Sequence, residues 1–256
     1  MDFLYYILIG GALLLASPFL ILRALVSSSF RDEIKGKMKG ASCLPKLKDT
    51  LWIHASSVGE VRLAKTLISS LIKEGESRPI ALSTFTSTGY ALAMEEALPN
   101  VFRLPLDFPY WLNPVFDRLQ PSKLVLIEAE LWPVLLRQCK HRSIPVIQVN
   151  GRVSEKSIKL YGVFPPFLLW MTEPIKQFSM RSLTDADRFL QLGLAKEKVL
   201  VTGNIKFDVT SVQTEDKFHP EWKADSLIVV FGSTRPGEEG PIMQALIKLQ
   251  KKFPRL

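Results

Sequence analysis

Cysteine is nearly absent from this sequence. Cys43 and Cys139 stand far apart, with no CxxC pair and no nearby pair of histidines. That excludes a disulfide framework and gives no zinc-site spacing, so both read as ordinary reduced residues. Histidine is scarce as well: His54, His141 and His219 show no metal-ligand spacing and read as structural. There is no GxGxxG, which removes the dinucleotide fingerprint. The turn "FGSTRPGEEG" (231–240) resembles a P-loop only superficially, because Glu238 stands where that motif needs lysine and would repel phosphate. Low-complexity tracts and internal repeats are missing too. Acidic residues are the minority, 25 against 33 basic, and the net charge of +8 favours an anionic partner: nucleic acid, a phosphorylated substrate or an acidic membrane surface.

Only one long apolar run is present. Phe3 to Leu22 is uncharged over its whole length, and at about 1.5 Å per residue a helix of that length matches a hydrocarbon core of about 30 Å. Asp2 alone precedes it, whereas Arg23, Arg31, Lys35, Lys37, Lys39, Lys46 and Lys48 follow. A cleaved leader has its positive charge on the other side. Residues 1–27 therefore read as a membrane anchor and 28–50 as a basic segment held against anionic head groups, with the body of the protein on the cytoplasmic side. The plainer alternative is a buried N-terminal helix; Pro18 and the pair Gly10 and Gly11 also leave room for a segment that dips in without crossing.

From Thr50 onward, short apolar runs alternate with helical patterns. Strands are expected at 51–55, 80–85, 101–106, 124–130, 146–150, 178–182 and 198–204, and helices at 60–75, 88–99 and 183–194, the last capped by Thr184 or Asp185. Strand and helix in turn predict an α/β fold, a doubly wound, Rossmann-like parallel sheet with helices on both faces, over 51–205. A polar linker at 206–226 and a new strand at 227–233 followed by a helix near 238–251 mark the start of a second, truncated α/β domain, 227–256. One βα unit cannot bury both faces, so a longer chain carries the remainder or this unit packs on the first domain.

Ligands of open parallel sheets collect beyond the carboxyl ends of the strands. Polar clusters fall at several such ends: "HASSVGE", "STFTSTG", "PLD", "EAELWP" and "NGRVSEKS". Ser57 to Glu60 fits a capping box. Glu60 also fits a general base, with Gly59 admitting a substrate and the helix N-terminus lowering the carboxyl pKa; the two roles are compatible. Glu128 and Glu130 alternate by two, which on a strand places them on one face, with Arg152 or Lys156 as the cation between them, either as a structural ion pair or to orient a substrate. Trp132 and Pro133 set a helix start. Thr86 and Thr88 offer hydroxyls to an anionic or sugar ligand, or act as ordinary caps. Ser233 and Thr234 sit in an amide-rich turn able to hold one phosphate, or a capped turn. The aromatic stretch 160–171 is core, or in part a surface that meets acyl chains.

In order and approximate spacing, the apolar N-terminus, "HASSVGEV", "TFTSTG", "LPLDFP", "EAELWP", "NGRVSEKS", "GNIKFD" and "GSTRPGEE" resemble the Kdo transferases of lipopolysaccharide assembly. That family moves 3-deoxy-D-manno-octulosonic acid (Kdo) from CMP-Kdo to a lipid A precursor. The resemblance implies a GT-B-like architecture with acceptor on the N-terminal domain and nucleotide mainly on the C-terminal one. It implies an inverting transfer at the inner membrane, with Glu60 as catalytic base. Acceptor contacts would come from Ser57, Gly59, Thr86, Thr88, Glu128, Glu130 and Arg152, and donor phosphate contacts from Lys206, Ser233 and Thr234. No cofactor or metal and no nucleic-acid polymer is implied; the partners are CMP-Kdo, the lipid A precursor and the anionic membrane surface. Leu106 stands where the family usually has tyrosine and Gly151 where it has alanine, and the later nucleotide motifs lie beyond Leu256. Two rival readings remain: another membrane-associated GT-B transferase using a UDP-sugar, and a non-catalytic, anchored protein that binds the lipid precursor.

Overall fold

The computed structural model describes residues 2–39, 44–208 and 228–253; Cys43, His219 and most of the expected linker lie outside them. The chain divides into two units, Met1–Thr210 and Ser211–Leu256. The first is built on β1 (Thr50–His54), β2 (Ile80–Thr84), β3 (Phe102–Arg103), β4 (Pro121–Ile127), β5 (Val146–Gly151), β6 (Ile175–Met180) and β7 (Val199–Val201). All pair in parallel, in the order β3-β2-β1-β4-β5-β6-β7.

Every residue of β1 and β2 is buried, which explains their continuous apolar runs: a sheet covered on both faces leaves no polar side. One face packs Leu51, Ile53, Leu82, Val125 and Ile127 against α3 (Val58–Lys73) and α4 (Ser87–Glu95). The other packs Trp52, Leu124, Leu126, Val146 and Phe178 against α5 (Pro109–Leu119), α6 (Pro133–His141), α8 (Pro165–Thr172) and α9 (Leu183–Gln191). Between α6 and α8, α7 (Glu155–Val163) leads out of the loop after β5. The helix α3 stops where expected, with Gly75 left-handed at φ 88° just past its end.

The first apolar run forms α1 (Asp2–Val26), of which Tyr5–Val26 is long and apolar enough to cross a membrane, with mean hydropathy 2.0. It is no core helix, since none of that apolar window is buried. Its first turn docks on the first unit: Trp170 Nε1 donates to Asp2 Oδ1 at 2.7 Å, and Arg137 and His141 converge on Oδ2. The basic segment that follows forms α2 (Ser28–Lys39). One of its lysines is not presented to any surface: Lys37 is buried, with its ammonium 3.6 Å from the centre of the Phe85 ring and 2.8 Å from Glu33.

Three further expectations fail for local reasons. Strand β4 ends at Ile127, because Glu128 takes a left-handed backbone at φ 60° that no strand accommodates. The cap of α9 is Ser182 in place of Thr184 or Asp185: its hydroxyl accepts the Asp185 N–H at 3.1 Å, and the Asp185 carboxylate instead accepts from the Val153 N–H and from Arg181. In the second unit α10 (Glu239–Lys252) forms, but the described residues of the run before it, 228–233, make no strand. Ile228, Val229, Val230 and Phe231 stay exposed there, and among the described residues that unit has no strand to pair with them. Ser182→Ala should lower unfolding free energy by about 1 kcal/mol while Thr184→Ala, at an exposed position, changes it by less than about 0.5 kcal/mol; urea titration of both variants checks this.

Candidate active site

The strand order reverses between β1 and β4, whose neighbours in sequence, β2 and β3, run off to the other side. At such a point the loops leaving two adjacent strands diverge and a crevice opens at their carboxyl ends. Here those loops are 55–57 after β1, leading into α3 with Glu60 in its first turn, and 128–132 after β4, carrying Glu128 and Glu130.

Ser56 is the hub. Its backbone N–H donates to Glu60 Oε2 at 2.8 Å, and its hydroxyl donates to Glu130 Oε2 at 2.5 Å. The Ser57 hydroxyl donates to Glu60 Oε1 at 2.8 Å. The expected capping box is thus rewired: Ser57 takes the cap position without accepting from the helix, and Glu60 reaches past it to the residue before. Thr86 caps α4 by accepting the Gly89 N–H, and its own hydroxyl donates to the Ser56 carbonyl at 2.8 Å. Gly89 permits this contact, because a Cβ there would stand 2.9 Å from Thr86 Oγ1 and 3.0 Å from the Ser56 carbonyl oxygen. The exposed Thr88 hydroxyl lies 3.5 Å from that of Thr86.

Glu60 keeps 9% of its surface exposed. It borders Gly59, which is exposed and has open space where a Cβ would stand. Burial pushes the Glu60 carboxyl above the usual glutamate range and the charge of Glu130 pushes the same way, against the hydrogen bonds from Ser57 and Ser56. The expectation of a lowered pKa from the helix N-terminus is therefore corrected. Desolvation and a neighbouring anion outweigh that field, which makes Glu60 a stronger base than a solvated glutamate. Glu130 goes the other way. Burial alone would raise it, but hydrogen bonds with His54, Ser56 and Trp132, together with the charge of His54, hold it below the usual range.

Glu128 and Glu130 do not share a face. The left-handed turn at Glu128 sends the first carboxylate toward Asn150 Nδ2 (3.4 Å) and Arg152 Nε (3.7 Å), and the second toward His54 and Ser56. Among the described residues, Arg152 thus pairs with Glu128 alone. Asn150 joins this second cluster to Lys206, since its Oδ1 accepts the Ile205 N–H at 3.2 Å and anchors the 3-10 turn Ile205–Phe207. The Lys206 side chain is exposed. Ser233, left-handed at φ 60°, and Thr234 are exposed in the second unit.

Three side chains that the sequence reading passed over are central here. His54 is fully buried, with Nδ1 2.8 Å from Ser83 Oγ and Nε2 3.1 Å from Ser56 Oγ. Ser83 also accepts from Trp52 Nε1 at 2.8 Å. Asp107, from "LPLDFP", accepts the N–H groups of Val134 and Leu135, capping α6 from across the crevice. Burial pushes its carboxyl up to about 6. A signal for His54 existed: it alternates with Trp52 on a strand otherwise apolar, so its ring had to be buried and paired.

Residues 31–209 match the model of a family described as 3-deoxy-D-manno-octulosonic-acid transferase (kdotransferase). The chain belongs to that family. Its sequence is 32% identical to the 3-deoxy-D-manno-octulosonic acid transferase of Haemophilus influenzae, over 95% of this chain and 60% of the relative. Against the enzyme of the same description from Chlamydia pneumoniae the identity is 28%, over 95% and 59%. A bifunctional glycosyltransferase/methyltransferase of Fusobacterium nucleatum is 32% identical, over 90% of this chain and 38% of that one. The chain spans 60% or less of the length of each of these three relatives. A UDP-GlcNAc 2-epimerase from Neisseria meningitidis superposes with a TM-score of 0.53 over 81% of this chain and 63% of its own, at 13% identity. The S. aureus MnaA-UDP co-structure gives 0.52 over 68% and 50%, also at 13% identity. Both likenesses concern the fold: a Rossmann-like parallel sheet of the GT-B kind.

The raised Asp107 pKa has a stability consequence. The protonated acid is the form the folded state favours, so its contribution is fully present below pH 4 and is lost as pH rises through about 6. Wild type should therefore lose up to about 3 kcal/mol of stability relative to Asp107→Asn between pH 4 and 7, read from denaturation curves of both proteins across that interval.

Proposed function

We propose that the intact gene product is an inverting Kdo transferase that carries Kdo from CMP-Kdo to a lipid A precursor at the cytoplasmic face of the inner membrane. The observation that carries this reading is Glu60: a carboxylate of raised proton affinity at the switch-point crevice of a Kdo transferase family chain, beside open space at Gly59. In the reaction, Glu60 takes the proton of an acceptor hydroxyl as that oxygen bonds to the anomeric carbon of Kdo. The bond from that carbon to the CMP phosphate oxygen breaks, and the electron pair leaves with CMP. No metal-held step is invoked.

The remaining roles follow the same reading. Ser57, Thr86, Thr88, Glu130 and the Glu128–Arg152 pair form the acceptor side of the crevice. Lys206, Ser233 and Thr234 meet the departing phosphate, where positive charge and hydroxyl donors favour the leaving anion. Residues 51–205 form the acceptor domain and 227–256 the start of the donor domain. The apolar α1 and the basic α2 attach the protein to an anionic bilayer, consistent with one helix long and apolar enough to span it.

Two measurements test this. Transfer of Kdo from CMP-Kdo to lipid IVA by the full-length protein should fall by about 100-fold or more in Glu60→Gln, the range that removal of a general base gives; undiminished turnover would remove Glu60 from the role. Deleting residues 2–27 should move the protein from the membrane pellet to the supernatant on fractionation, and retention in the pellet would refute the anchor.

A further inference from the structure

The hydrogen bonds around His54 form a connected chain. Trp52 Nε1 can only donate, and it donates to Ser83 Oγ at 2.8 Å. Ser83 Oγ lies 2.8 Å from His54 Nδ1 and 3.5 Å from the Ile53 carbonyl, to which its hydroxyl can donate. The opposite ring nitrogen, Nε2, faces Ser56 Oγ at 3.1 Å and Glu130 Oε2 at 3.5 Å, and a proton on it is aimed at Ser56. The Ser56 proton continues to Glu130 Oε2 at 2.5 Å, where the Trp132 indole also arrives at 2.7 Å. The His54 Nε2, Ser56 and Trp132 groups thus converge on one carboxylate. The same Ser56 binds the other carboxylate through its backbone N–H.

A buried histidine whose ring is merely satisfied would need only two partners of any polarity. This one lies 0% exposed between two serines, and the network that begins behind it terminates on an acid beside the proposed base. We propose that His54 is a positioning residue for the Glu60 and Glu130 pair: through the Ser56 hydroxyl it holds Glu130 as the standing anion of the site and leaves Glu60 as the carboxylate that takes up a proton. The inference rests on the reading of Glu60 as base. It assigns a residue that touches neither sugar nor nucleotide.

Other ionisable groups face the pair. Asp107, in the loop after β3, interacts with His54, Tyr161 of α7 lies near Glu130, and Lys37 of α2 covers the Phe85 ring that packs at a tilt on Trp132. They are common to all the variants below, so differences between variants report the His54 link.

The test is a carbon-13 titration of the glutamate carboxyls in the full chain, with Glu60→Gln and Glu130→Gln assigning the two resonances. In the wild type Glu130 should titrate below and Glu60 above the ordinary glutamate range. His54→Leu should draw the two together, Glu130 rising and Glu60 falling, and His54→Gln should restore the separation because its side-chain amide can donate toward Ser56. Ser56→Ala cuts the same link without emptying a core position and should act like His54→Leu, which keeps the question answerable if the leucine variant does not fold. Wild-type separation persisting in Ser56→Ala, or in a folded His54→Leu, overturns the proposal. In the transfer assay His54→Leu or Ser56→Ala should lower kcat by about tenfold or more with the acceptor KM within about threefold. The titration needs no substrate, so an inactive wild type or an active Glu60→Gln would sink the functional reading separately.

Discussion

The pairing of β1 with β4 is the constraint from which the site follows. These strands are neighbours in space but separated by two others in sequence, and from them the sheet winds in opposite directions. Their outgoing loops must part, and one residue of each, Ser56 and Glu130, are left close enough to bond directly. Helices on both sheet faces bury His54 and Ser56, and burial strengthens the short polar chain they form. The same burial raises Glu60.

Around that centre, the sequence blocks act on one another more than each acts alone. Glycine 89 of "TFTSTG" lets α4 press on the Ser56 carbonyl; Asp107 of "LPLDFP" fixes the start of α6; and α6 follows directly from "EAELWP". A substitution in one block therefore reaches the carboxylates through another. Lys37 extends this to α2, since its ammonium lies on Phe85 and that ring packs at a tilt on Trp132. The basic segment is joined to the site by packing as well as by charge.

Periodicity made the α/β order, all seven strand positions in the first unit and the Gly75 stop of α3 legible, because buried parallel strands have little freedom in composition. The shortness of β3 and the missing strand at 228–233 were not legible, since an apolar run does not say whether a neighbour is there to pair with it. Glu60 could be placed from its turn, but the sign of its pKa could not: that depends on Glu130, 70 residues away in the chain and 2.5 Å from the shared Ser56. Placing Glu128 and Glu130 on one face assumed that the strand ran to Glu130. A single left-handed residue invalidated it, and glutamate gives no local hint of that backbone. His54 has no metal-ligand spacing, and its place in the site is marked instead by its alternation with Trp52 on β1.

The left-handed backbone at Glu128 separates two things that natural variation can alter independently. Asparagine or glycine would accept that conformation at little cost, so the negative charge facing Arg152 can be discarded while the bend that aims Glu130 survives. Valine or isoleucine would oppose the bend itself. Shape and charge at this position are thus separable: the bend aims Glu130, and the charge serves only the pair with Arg152.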